Sequence, residues 1–169
     1  NSFDFTHEND DAFFGMNASI FEDLKTSNYN DKYEYILPEI TIDKSLVSND
    51  TVGILNLNST YKIHNYETNK YTSFFVNDFD WRFKETNFSS GFNTKILGNF
   101  KNINYEAKNI DIYKKDTTSE IFGSLGLLAD LKLLKISGKT NHFLKPKMLF
   151  RYAPGQMRKE EEGTQLDPL

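Results

Sequence analysis

The chain is 169 residues long, holds no cysteine and carries a formal charge of -4, which gives the length of one ordinary domain and removes disulfide and thiolate-metal chemistry. Acids outnumber Lys and Arg by 24 to 20, so the clustered basic footprint that nucleic acid requires is missing. Aromatic residues reach 15% although the mean hydropathy is only -0.60, and no run of about 18 apolar residues could cross a membrane as a helix.

The chain begins at Asn1 rather than Met and opens directly in strand-like sequence, which predicts a piece of a longer precursor. Ser2 to Thr6 reads as a strand whose partner lies upstream, and Asn9 to Asp11 as a turn. Ala12 to Phe21 alternates, with Phe14, Met16, Ala18 and Ile20 opposite Gly15, Asn17 and Ser19. Only a strand sorts residues in this way. Glu22 to Lys32 is polar loop sequence. Tyr33 to Ile42 has strand composition with Pro38 inside it, and an interior proline implies a bulge or a register change. Asp43 to Val52 reads as a loop. Gly53 to Asn65 sets Leu55, Leu57, Ser59, Tyr61 and Ile63 against Asn56, Asn58, Thr60, Lys62 and His64.

Tyr71 to Lys84 is the clearest strand. Tyr71, Ser73, Phe75, Phe79, Trp81 and Phe83 share one side, while Asp78, Asp80, Arg82 and Lys84 line the latter half of the other. This run should form an antiparallel hairpin with the strand before it. At its length it could cross a bilayer as a tilted strand of about 9–11 residues. Phe88, Ser90, Phe92, Thr94, Ile96 and Phe100 mark the next apolar face. The apolar parity changes at Ile103 and Tyr105, which predicts a bulge near Asn102. Lys108 to Glu120 is a polar connection. Ile121 to Ile136 satisfies helical spacing in part, but Gly123 and Gly126 favour a strand. His142 to Tyr152 alternates again, with Leu144, Met148, Phe150 and Tyr152 facing away from Lys145, Lys147 and Arg151. Ala153 to Leu169 is a charged tail containing Glu160 to Glu162.

The expected fold is therefore all-β: an antiparallel up-and-down meander of about seven strands without helix. Alternate connections fall at the same end, so the Glu22 to Lys32 loop, the Lys108 to Glu120 loop and the tail should collect at one end. The turns near Glu85 and Gly138 would lie at the other, with Asp43 to Val52 as a longer exception. Long loops on one side and short turns on the other suit an outer-membrane barrel.

Motifs for chemistry do not survive inspection. Ser59 to Lys62, STYK, has SxxK spacing, but three residues along a strand place the two side chains on opposite faces. Gly138-Lys139-Thr140 lacks the upstream glycine of a phosphate loop, which is Leu133 here. His7, His64 and His142 have no ligand spacing and read as isolated polar-face residues. Asp78 and Asp80 could serve as an acid and base pair, yet Arg82 beside them makes a charge ladder. No nucleophile, base and orienting group assemble, so the expectation is a protein without catalysis, cofactor or metal.

Three segments, Tyr33 to Ile40 (YEYILPEI), Phe75 to Trp81 (FVNDFDW) and Leu144 to Arg158 (LKPKMLFRYAPGQMR), resemble in this order the barrel domain of the LptD family. These are the lipopolysaccharide-assembly proteins, also called organic solvent tolerance proteins, and the likeness is to alphaproteobacterial forms. It covers the chain from about Tyr33 onward, and the last segment is its most specific part. The resemblance implies that residues 1–169 are an interior block of strands of a large β-barrel in the outer membrane of a Gram-negative cell. It implies as partners an LptE-like lipoprotein plug, lipopolysaccharide, a periplasmic bridge protein reached through an N-terminal domain outside this chain, and outer-membrane lipid. Pro38, Pro146 and Pro154 sit at motif positions. Candidate lumen-facing residues are Lys62, Asp78, Asp80, Arg82, Lys84, Lys145, Lys147 and Arg151; candidate lipid-facing residues are Phe75, Phe79, Trp81, Phe83, Phe92 and Ile96. A porin or receptor barrel and a soluble carbohydrate-binding β-sandwich remain as alternatives on the alternation alone.

Overall fold

A computed structural model describes residues 1–25, 32–67, 70–110, 113, 116–138 and 140–154, with Tyr66 and Glu67 described by backbone only. The residues Gly155 to Arg158 of the last motif, the Glu160 to Glu162 run and Lys139 lie outside this set. The described residues form eleven strands. These are β1 (Ser2–Glu8), β2 (Ala12–Glu22), β3 (Tyr33–Asn49), β4 (Gly53–Glu67), β5 (Lys70–Arg82), β6 (Thr86–Asn87), β7 (Phe92–Lys108), β8 (Thr118–Leu131), β9 (Leu133–Ser137), β10 (Thr140–Leu144) and β11 (Lys147–Tyr152). All pairs are antiparallel and the main sheet runs β1-β2-β3-β4-β5-β7-β8-β11, with β6 added alongside β7. Among the described residues the chain is thus an all-β meander, open at β1 and β11.

Local sequence explains the tight connections. Asn9 Oδ1 accepts from the amides of Asp11 and Ala12 at 3.1 and 2.8 Å. Asn49 Oδ1 repeats this with Thr51 and Val52 at 3.0 and 2.7 Å, the asparagine mimicking a backbone turn. Gly53 ends the second turn at φ 88°, where an added Cβ would lie 2.2 Å from the Arg82 carbonyl oxygen. That position excludes every other residue.

Several expectations hold. The β4–β5 hairpin pairs from Ile54↔Arg82 to Asn65↔Tyr71. Pro38 lies where the register between β3 and β4 shifts, from Ile36 to Glu39, and the Leu37-Pro38 peptide is cis. Ser59 and Lys62 fall on opposite faces, since Ser59 stands beside Ile42 and Asn77 while Lys62 stands beside Glu39 and Phe74.

β1 pairs along one edge with β2, downstream of it. Other expectations are corrected. Residues 43–49 are strand, not loop, because Asp43, Ser45 and Val47 find partners on β4 and the turn shrinks to residues 50–52. No bulge interrupts β7 near Asn102: its register is continuous against β5 and β8. Ser90 and Gly91 turn the chain before β7, so Phe88 precedes that strand. The segment 121–136 divides at Lys132 into β8 and β9, and 142–152 divides at Lys145-Pro146 into β10 and β11. The cause is Pro146, which has no amide to donate, although its carbonyl still accepts from Leu131 at 3.2 Å. β9 and β10 pair only with each other, so this hairpin overshoots the sheet at the end expected to carry short turns. One connection expected to be a short turn is thus a two-stranded extension, while the exception expected at Asp43 to Val52 shortens to the turn 50–52.

Candidate functional site

Residues opposite one another across an antiparallel pair share a face, so the registers assign every strand residue to one of two sides. One side, the aromatic face, carries Phe75, Phe79 and Trp81 on β5 and Phe92, Ile96 and Phe100 on β7. It continues through Phe3 and Phe5, Met16, Ile40 and Ile42, Leu55 and Leu57 on the β1 side. Ile121, Leu125, Leu127, Met148 and Phe150 extend it to β11. No second layer of described residues covers it: Phe3, Phe5, Phe75, Phe100, Ile121, Leu125 and Phe150 are 42–66% exposed. Phe83, just past β5, sets its ring edge-on to Trp81 at 5.7 Å.

The apolar stretch crosses the sheet obliquely. The row Phe5–Met16–Ile40–Tyr61–Phe75 is apolar from β1 to β5 and then turns polar at Asn104 and Ser119. The row Lys44–Leu57–Phe79–Phe100 is polar on β3 and apolar from β4 to β7. Leu55–Trp81–Gly98–Leu125–Tyr152 and Ile96–Leu127–Phe150 carry it to the far edge. The band therefore climbs by about one residue per strand, the slip produced when strands tilt by roughly 35–45° to a common plane. Below it, Tyr35, Asn65, Tyr71 and Lys108 share a row. There Lys108 Nζ lies 5.5 Å over the Tyr71 ring and Lys32 Nζ 5.4 Å over Tyr33. Glu22 hydrogen-bonds Lys32 and raises its pKa, adding the pull of its charge. From Tyr71 to Trp81 a strand tilted by about 40° rises about 25 Å.

Opposite lies the charged face. Asp43, Asn58, Asp78 and Lys101 form one row, and Ser45, Asn56, Asp80, Asn99 and Ser124 the next. Lys101 Nζ lies 3.2 Å from Asp78, and Asn99 Nδ2 donates to Asp78 at 2.7 Å. Arg82 Nε donates to Asp80 at 2.7 Å. Lys62 approaches Glu39 at 3.8 Å, and His64 pairs with Glu34. The expected ladder of Asp78, Asp80 and Arg82 is thus present, with cations interleaved so that the carboxylates are matched. Lys147 and Arg151 share this face by register with Asp130 and Gly126, and Lys145 reaches Asp130 Oδ1 at 3.4 Å. Lys84 stands exposed past the end of β5. His7 departs from expectation: it lies opposite Phe14 on the aromatic face. Among the described residues no group of three His, Asp or Glu could hold a metal ion.

Near Lys70 the charged face becomes dry, which alternation in β5 alone did not reveal. Phe74, Ile103 and Tyr105 are only 2–3% exposed and Val76 is buried beside them. Phe74 stacks on Tyr105 at 5.6 Å, and Tyr113 from the β7–β8 connection closes edge-on over Phe74 at 5.3 Å. The signal was the parity change in β7. It marks a strand that is apolar on one side for half its length and on the other side for the rest.

No family model, curated protein or solved structure matches this chain.

Proposed function

We propose that the chain is a block of membrane-spanning strands of an outer-membrane β-barrel of the lipopolysaccharide-assembly type, aromatic face to lipid and charged face to an aqueous lumen. The observation that carries this reading is the slanted apolar band. An exposed apolar surface of this extent marks a contact with lipid or another protein. Its slip of about one residue per strand follows the tilt of barrel strands, and at such a tilt the run from Tyr71 to Trp81 is long enough for the apolar belt of roughly 25 Å of such barrels. From β2 to β8 each strand of the main path pairs on both sides, as a lipid environment demands of backbone groups. The edges at β1 and β11 suit an interior block that continues into further strands.

The finer assignment rests on YEYILPEI and LKPKMLFRYAPGQMR. On this reading lipopolysaccharide and a lipoprotein plug meet the lumen side, where Lys62, Arg82, Lys147 and Arg151 offer cations to phosphates and carboxylates. The barrel acts by binding and passage, without catalysis. Depletion of the protein from cells tests it: surface-exposed lipopolysaccharide should fall while the lipid accumulates on the periplasmic side. Unchanged surface lipopolysaccharide in depleted cells contradicts the assignment.

A further inference from the structure

Within the aromatic face one place is hollow. Gly98 has no side chain, and Trp81 leans over it so closely that an added Cβ would meet the indole at 3.0 Å. Beside them Val52, Leu55, Phe79 and Phe100 wall a groove of about 330 Å³, roughly ten times the ~30 Å³ of a water molecule. Its remaining lining, Asn99 and Ser124, belongs by register to the charged face, so strand parity turns those polar side chains away. The indole N–H is already committed, donating to the Val52 carbonyl at 2.9 Å. The groove therefore presents carbon and no free donor. It excludes a head group, a peptide or a sugar, each of which brings polar atoms that would go unpaired.

We propose that this groove seats one acyl chain of a membrane lipid as a preferred site, distinct from the sliding contacts elsewhere on the band. The inference rests on the reading that the aromatic face meets hydrocarbon. Three features select an acyl chain: the groove is continuous with the apolar band through Leu55, Leu125 and Phe100, it lacks a free polar group, and it is open along one side. In lipid an unfilled groove forfeits dispersion contacts with its walls, and a flexible methylene chain is the available filler.

Trp81 is the single tryptophan of the chain and reports directly. The protein is placed in phosphatidylcholine vesicles containing increasing fractions of a phosphatidylcholine brominated on its acyl chain, and tryptophan quenching is followed. The reference is the double variant Trp81→Phe, Phe75→Trp, whose probe sits on the open band. A few added carbon contacts give a preference of about twofold, so Trp81 should reach half-quenching at about half the brominated fraction needed at position 75. Leu55→Phe fills the groove and should bring the two curves together; Phe100→Ala widens it and should leave the preference in place should Leu55→Phe fail to insert. Identical curves for Trp81 and the reference overturn the site while leaving the lipid-facing reading intact. No quenching at either position overturns that reading itself.

Discussion

The two halves of the charged face are built from the same strands and obey opposite rules. Toward Arg82 it is a hydrated ladder in which Asn99 and Lys101 satisfy Asp78 while Arg82 satisfies Asp80. Toward Lys70 it is a dry aromatic cluster in which Phe74, Ile103 and Tyr105 are nearly inaccessible. The aromatic face changes in the reverse sense on β7, from Phe92, Ile96 and Phe100 to Asn102 and Asn104. Strand period alone thus assigns residues to sides, whereas the environment of each side changes along the strand. On the proposed barrel reading the two regions divide the work: charges where water fills the interior, and packing where the connection bearing Tyr113 folds over the sheet.

Removing one ring from the dry half should be the costliest change. Phe74→Ala should cost about 3–5 kcal/mol in urea unfolding of the vesicle-inserted protein, as for other buried aromatics. Its neighbour on the opposite face tests a different property. Phe75→Arg should cost about 2–4 kcal/mol in lipid, and little in a soluble setting where position 75 meets water.

Tyr105→Phe should act in the opposite direction within the dry half. The Tyr105 hydroxyl is buried with no hydrogen-bond partner among the described residues. Deleting it removes an uncompensated desolvation cost, and the variant should gain about 1 kcal/mol. In the ladder half the Asp80 and Arg82 side chains are 46% and 52% exposed, so Asp80→Asn should change stability by less than about 1 kcal/mol. A loss as large as that of Phe74→Ala would show the ladder to be a core rather than a hydrated wall.

These regions also mark how far the sequence could be read. Alternation in β2, β4 and β5 located the strands and their faces, because each has a run long enough for period two to stand out. Pro38 announced its register shift through a missing donor. The polarity reversal in β7 was visible as a parity change, but a bulge and a change of environment leave the same trace in one strand. Only the register of Ile103 and Tyr105 against Val76 and Phe74 separates them. The continuation of β3 through residues 43–49 was hidden for a related reason. Polar Asp43, Lys44 and Ser45 look like loop until Asn58, Leu57 and Asn56 supply their partners. The groove at Gly98 required Trp81, Leu55 and Phe100, which come from three strands and meet only in the folded sheet.

Because the chain has no cysteine, a nitroxide can be attached at each position from Ser73 to Arg82 in turn without a competing thiol. Collision rates with oxygen and with a water-soluble nickel complex in vesicles then read the two faces of β5 separately. Oxygen access is expected at positions 75, 79 and 81, nickel access at 78, 80 and 82, and little of either at 74 and 76. Nickel access at positions 75, 79 and 81 would contradict the proposed orientation, because the aromatic band would then face water.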